Sequence, residues 1–144
     1  MASLLEPGDL VIVGVNGYFG QRLVAVAKRL GAEIETVEAP WGQPVEPQRL
    51  LEAQRNRPQA RLVAVVHAET STEIAQRCGA IACAPGHRHP AAAGHGDLSG
   101  QDSVEIDGWS VDAAYSATQK CLGAPSGLSP VILSDRGMHR VRFR

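Results

Sequence analysis

A chain of 144 residues, 44% of them hydrophobic, is of a size to fold as one domain around its own core. Its formal net charge of -1, with basic residues scattered rather than clustered, excludes the positive surface on which nucleic acids bind, and no apolar run reaches the roughly 18 to 20 residues of a membrane span. The scattered charge favours a small-molecule partner, and three cysteines without the density of a disulfide scaffold fit a reducing compartment, so a cytoplasmic setting is expected.

Leu10 to Val15 is a short apolar run closed by Asn16-Gly17, the pattern of a buried strand that ends in a turn. From Phe19 to Leu30 the residues Leu23, Val24, Val26, Ala27 and Leu30 recur at helical spacing, and Gly31 supplies a stop. Ile34 to Val37 predicts a second strand, Pro47 to Gln54 a second helix, and Leu62 to Val66 a third strand ending at His67. This repeated strand-then-helix order predicts an α/β fold, with helices packed on a mostly parallel sheet and ligands collecting outside the carboxyl ends of the strands.

Beyond Thr72 the pattern breaks. Ala84 to Gly100 holds two prolines, four glycines and three histidines with almost no large apolar residue, so no core strand is expected there and residues 73–102 read as irregular. Order returns near Val104 to Ile106, runs through Val111 to Tyr115 and Val131 to Leu133, and gives way to a basic tail ending at Arg144.

Four segments, LEPGDLVIVGVNGYFGQR, VEAPWGQPVEP, VVHAETST and DGWSVDAAYSATQKCLGAPSGLSP, resemble the class V aminotransferases of the alanine:glyoxylate and serine:pyruvate type, in the same order and at nearly the same spacing. The most specific stretch is YSATQKCLGAP, whose lysine, after Gln119 and before an Ala-Pro turn, looks like the family's cofactor lysine. The resemblance implies a partial three-layer large domain of the fold-type I transferases that depend on pyridoxal 5'-phosphate. By the same resemblance Lys120 is the covalent attachment point, Phe19 the aromatic residue stacked on the cofactor ring, Thr70 a hydroxyl on its phenolic-oxygen side, and Gln119 a neighbour of its phosphate. Such chemistry asks for a primary amine that is in part deprotonated, because only the free amine attacks an aldehyde. Transfer of an amino group between a small amino acid, such as alanine or serine, and glyoxylate or pyruvate is implied, as is a homodimer.

The family also has an aspartate that holds the ring nitrogen, on a strand between the HAETST-like segment and the lysine. Here that stretch reads APGHRHPAAAGHGDLSG; Asp97 is its sole aspartate, in a context that does not match, and the role is not carried over to it. The spacing of the flanks is kept while the residues between them are unrelated, which suggests a reading-frame slip followed by a restoring one. Codons for Gly94 to Ser99, read one base later, can spell Val-Thr-Val-Thr-Ser. The family's phosphate-binding turn, its arginine for the substrate carboxylate and its small C-terminal domain are expected outside 1–144, and with them full transaminase activity.

Two rival readings rest on the residues alone. Gly14, Gly17 and Gly20 lie between a strand and a helix, with Glu35 and Glu38 about twenty residues on, as in folds that bind NAD(P). There the glycines would admit a pyrophosphate to the helix N-terminus, and a bulky Phe19 in the loop counts against it. Cys78, Cys83, His87 and His89 are of the types that ligate zinc, as in a non-enzymatic binding module. Four residues between the cysteines and one between the histidines depart from structural-zinc spacing.

Overall fold

Apolar residues on the first strand point alternately to two faces, and both faces are covered. The computed structural model describes residues 1–82, 91–94, 104–120 and 122–143. In it β1 (Leu10–Val15) turns Val11, Val13 and Val15 to one side and Ile12 to the other, all buried. A helix, α1 (Tyr18–Arg29), lays Leu23 and Ala27 on the first side. The next strand, β2 (Glu33–Glu38), pairs in parallel with β1, and α2 (Pro47–Asn56) covers the second side with Leu50 and Ala53. The third strand, β3 (Leu62–Val66), divides its residues the same way: Leu62, Ala64 and Val66 join α1, and Val63 and Val65 join α2. The result is helix, sheet and helix in three layers. Burial on both faces is why these strands read as nearly continuous apolar runs.

A small antiparallel pair follows, β4 (Ala68–Glu69) and β5 (Ile74–Ala75), then the short helix α3 (Cys78–Ala82). The main sheet continues with β6 (Ala91–Gly94), β7 (Ala113–Tyr115) and β8 (Val131–Leu133), and α4 (Asp135–Arg142) ends the described chain. Its order is β2-β1-β3-β6-β7-β8, parallel throughout except for β8. Because β1 has β2 on one side and β3 on the other, the chain crosses the sheet on opposite faces after leaving it, and a crevice opens at the carboxyl ends of the strands there.

Three expectations change. Ala84 to Gly100 was expected to hold no core strand, yet β6 pairs with β3 from Val63–Ala91 to Val66–Gly94 and with β7 on its other side. A ladder is made by backbone N–H and C=O groups, which alanine and glycine supply as well as larger residues, and without β6 those of β3 and β7 would lack partners. The rest of that stretch, with Cys83, His87, His89 and Asp97, lies outside the described residues, as does Cys121. Val104 to Ile106 is not a strand but leads into a turn, in which Trp109 N donates to Glu105 O (2.7 Å) and Val111 N to Ile106 O (3.0 Å).

The basic tail is a helix. Ser134 Oγ caps α4 by accepting from Gly137 N (3.2 Å), Asp135 sits in its first turn, and His139, Arg140 and Arg142 sit in its last, as the helix dipole favours. Arg140 fastens it to the start of the chain through Leu4 O (3.1 Å) and the Asp9 carboxylate (2.5 Å). Among the described residues no helix is long and apolar enough to cross a membrane.

Candidate active site

The first turn of α1 needs partners for its free N–H groups, and its N-cap, Gly17, has no side chain to offer. The partner is Glu69, on β4 and 1% exposed. One carboxylate oxygen accepts from Phe19 N (3.0 Å) and Gly20 N (3.1 Å). The other accepts from Ser71 N (3.3 Å) and Ser71 Oγ (2.5 Å), while Ser71 Oγ accepts in turn from Tyr18 N (3.0 Å). A carboxylate is well placed at the positive end of a helix. It also fixes Phe19 relative to Thr70, its own neighbour in the chain. At Gly17 a Cβ would lie 2.5 Å from Glu69 Cδ and 2.8 Å from Ser71 Oγ. Gly17→Ala is therefore expected to cost about 1–3 kcal/mol through overpacking, read as a lowered urea midpoint; an unchanged midpoint would mean that the Glu69 contact yields freely.

The second wall is the connection from β7 to β8. Thr118, buried, donates its hydroxyl to Pro125 O (2.6 Å) and its N–H to Leu128 O (3.1 Å), drawing the two limbs of residues 116–130 together. Ser116 N bonds Pro130 O (3.0 Å) at the base. Lys120 lies in the turn so formed, its N–H on Ala117 O (3.1 Å) and its carbonyl on Gly123 N (3.0 Å). Its side chain is half-buried.

Between these walls is a cavity of about 480 Å³, within the range of small-molecule sites. Phe19, Arg22, Leu23 and Val26 line it from α1, Val66, Ala68 and Thr70 from the end of β3 and the β4 turn, and Tyr115, Ser116, Gln119, Lys120 and Ser129 from the β7–β8 side. The four residues singled out in the sequence, Phe19, Thr70, Gln119 and Lys120, thus border one cleft although a hundred positions separate the first from the last. Burial pushes the Tyr115 phenol up, and the Arg22 guanidinium partly offsets that, so Tyr115 is a neutral hydroxyl at ordinary pH. Arg22, Tyr115 and Glu69 were missed in the sequence. Arg22 had a signal, since it lies three residues beyond Phe19 and so on the same helix face; Glu69 had none.

His67 is not part of this lining. Its Nδ1 donates to Gln76 O (2.7 Å), and its ring meets Trp109 edge-on at 5.3 Å. Gln76 in turn bonds the backbone of Val45 in both directions, Nε2 to Val45 O (2.7 Å) and Val45 N to Oε1 (2.8 Å). This network ties the end of β3 to the segment before α2.

The donor set suits an aromatic aldehyde that carries an oxyanion: an amine, an aromatic face, hydroxyls, an amide and a guanidinium. Among the described lining residues there is no carboxylate for a ring nitrogen. The dinucleotide reading fits less well. The space at Gly17 is filled by Glu69, and the Phe19 and Gly20 N–H groups that would meet a pyrophosphate are already taken by its carboxylate. A Cβ at Gly14 would face Val65 and Leu50, and one at Gly20 the backbone of Val15, so both serve packing within the domain. Glu35 is paired with Arg57 (2.7 Å), and Glu38 accepts from the Thr36 hydroxyl (3.4 Å).

For the zinc reading, no group of three His, Cys, Asp or Glu residues suited to a metal occurs among the described residues. Burial pushes the Cys78 thiol from 9.0 up to about 12, which leaves it a protonated core residue. Alkylation at pH 8 followed by peptide mapping is expected to miss Cys78 in the folded chain and reach it in urea. The raised value favours the protonated, folded form. Its contribution to stability is thus complete below pH 9.0 and is lost as the pH climbs through about 12.

The architecture is shared with solved aminotransferases. Alanine-glyoxylate aminotransferase from Nostoc sp. superposes with a TM-score of 0.88 at 37% identity, over 99% of this chain and 38% of that one. The chain therefore has the α/β fold of the aminotransferases, with its cleft at the carboxyl ends of the strands. Among curated proteins, (S)-ureidoglycine-glyoxylate transaminase of Bacillus subtilis is 35% identical over 139 residues, which is 94% of this chain and 33% of that protein. Alanine-glyoxylate aminotransferase of Drosophila melanogaster is 32% identical over 151 residues, 100% of this chain and 37% of that protein. No family model matches the chain. Over nearly its whole length the chain is similar to class V aminotransferases of the alanine- and serine-glyoxylate group, and it spans about a third of the length of the curated relatives it matches.

Proposed function

We propose that residues 1–144 form the part of a large domain that carries the cofactor lysine of a pyridoxal-phosphate-dependent aminotransferase, acting in the cytoplasm as a homodimer. It moves an amino group between a small amino acid, such as alanine or serine, and glyoxylate or pyruvate. One observation carries this reading: Lys120, Phe19, Thr70 and Gln119 border a single cleft of ligand size.

When bound, pyridoxal phosphate supplies an electron sink for the charge that develops at the substrate carbon. The chain's own residues do the rest. Lys120 would supply the primary amine that holds the cofactor aldehyde and the base that moves a proton at the substrate carbon. The Phe19 ring would stack on the cofactor and hold its plane, and Glu69 fixes Phe19 by accepting from its N–H. Thr70 would offer its hydroxyl to the phenolic oxygen, and Gln119 its amide to the phosphate. Tyr115, a neutral hydroxyl, is a further donor at the cleft wall.

The test is to add pyridoxal phosphate, follow visible absorption, reduce with borohydride and map the modified lysine by peptide mass. Label concentrated at Lys120 supports the reading. Absence of label, or equal label on the other lysine of the sequence, Lys28, overturns it.

A further inference from the structure

Arg22 is a charge without an assignment. It is exposed on α1, one helical turn beyond Phe19, and lines the cleft that Lys120 lines. The ion pairs among the described residues use Arg57, Arg61, Arg136 and Arg140, and none uses Arg22. Among the described residues that border the cleft none is acidic. In a chain with 15 acidic and 14 basic residues, a concave site whose described lining holds the Arg22 and Lys120 side chains and no carboxylate side chain is a local departure from neutrality. Low-dielectric walls focus such a field and concentrate anions in the cleft. The surrounding hydroxyls of Tyr115, Ser116 and Ser129 are hydrogen-bond donors of the kind an oxyanion takes.

We propose that Arg22 binds the anionic end of the molecule whose carbonyl carbon meets Lys120, an oxyanion borne either by the cofactor as phosphate or by a 2-oxo acid as carboxylate. The guanidinium fork matches both groups through two parallel hydrogen bonds, a geometry that a lysine ammonium cannot reproduce. The proposal rests on Lys120 being the carbonyl-binding lysine, but its test does not need the covalent step.

Wild-type chain, Arg22→Ala and Arg22→Lys are titrated without cofactor with inorganic phosphate and, separately, with glyoxylate, by NMR. Binding of at least one anion is expected to weaken about tenfold in Arg22→Ala and to return only in part in Arg22→Lys. Weakening of phosphate assigns Arg22 to the cofactor, and a matching loss should appear for pyridoxal phosphate but not for pyridoxal. Weakening of glyoxylate alone assigns it to the substrate. Equal binding of both anions to wild type and Arg22→Ala, or no binding by wild type, overturns the proposal. Arg22 is exposed, so neither variant should move the urea midpoint. Anion binding that depends on Arg22 in a chain that takes no label at Lys120 would keep Arg22 as an anion-binding residue but overturn both the cofactor-lysine reading and the assignment of its anion to a carbonyl compound held at Lys120.

Discussion

Lys120→Ala is expected to erase the pyridoxal label on this chain and leave its fold unchanged. The experiment is unusually clean because the sequence contains two lysines, Lys28 and Lys120. Lys28 sits exposed in the last turn of α1 and serves as an internal control for reactivity in water. Lys120 is half-buried in a cleft that also offers an aromatic face and oxyanion donors, so binding is expected to precede reaction there, whereas Lys28 should react only on collision. At pyridoxal phosphate concentrations near the binding constant, label at Lys120 should exceed that at Lys28 by about tenfold or more, equivalent to about 1.4 kcal/mol of binding. The variant should retain the wild-type urea midpoint, since the Lys120 backbone bonds do not depend on its side chain. A variant still labelled at wild-type total, or one that has unfolded, would count against the assignment.

Glu69→Ala is expected to be the most damaging single change to stability. Its carboxylate accepts from Phe19 N, Gly20 N, Ser71 N and Ser71 Oγ in a site closed to water. Hydrogen bonds to a charged group contribute about 1.5–3 kcal/mol each, and removing one side of a buried charged contact costs about 3–5 kcal/mol. Against a typical total of about 5–15 kcal/mol, much of the folded population is at stake. Glu69→Gln keeps the shape but turns its NH2 toward donors on one side, so it should fall between wild type and alanine. Urea midpoints order the three proteins. An alanine variant within about 1 kcal/mol of wild type would show that water replaces the carboxylate, as at an exposed helix end. Because Glu69 also anchors Phe19, the same variant should label less at Lys120 even where it remains folded.

The parts of the fold that were legible are those in which burial imposes a period. β1 and β3 are covered on both faces and so are apolar at every position, and α1 repeats its core contacts at Leu23 and Ala27 and stops at Gly31, whose φ of 75° suits glycine. β6 carries no such signal, because three alanines and a glycine show neither period nor large apolar residues, and its pairing with β3 and β7 is a backbone ladder. α4 is mostly polar and is held by a cap and by Arg140, contacts that a hydrophobic period does not register.

The glycine triplet misled for a physical reason. Close approach of a backbone to a pyrophosphate and close approach to a carboxylate or a neighbouring strand both require glycine, and the sequence does not say which neighbour arrives. At the cleft, Lys120, Phe19, Thr70 and Gln119 were found through motif resemblance rather than from composition or period. Glu69 acts on a helix 50 positions earlier, a distance at which local reading has no purchase.

The lysine lies between a short edge strand and the rest of the sheet, and this sets how the site comes apart. β8 has three residues, is the last strand of the sheet among the described residues, and leaves Val131 and Ile132 largely exposed, whereas β1 and β3 are sealed between helices. Opening free energies differ widely within one protein, and such an edge is the part that frays first. The Lys120 loop can therefore dissolve in a sub-global event while the Phe19 wall stays folded. A molecule that joins Lys120 to the face of Phe19 acts as a staple across that seam, and by mass action every occupied cleft is an edge strand kept closed.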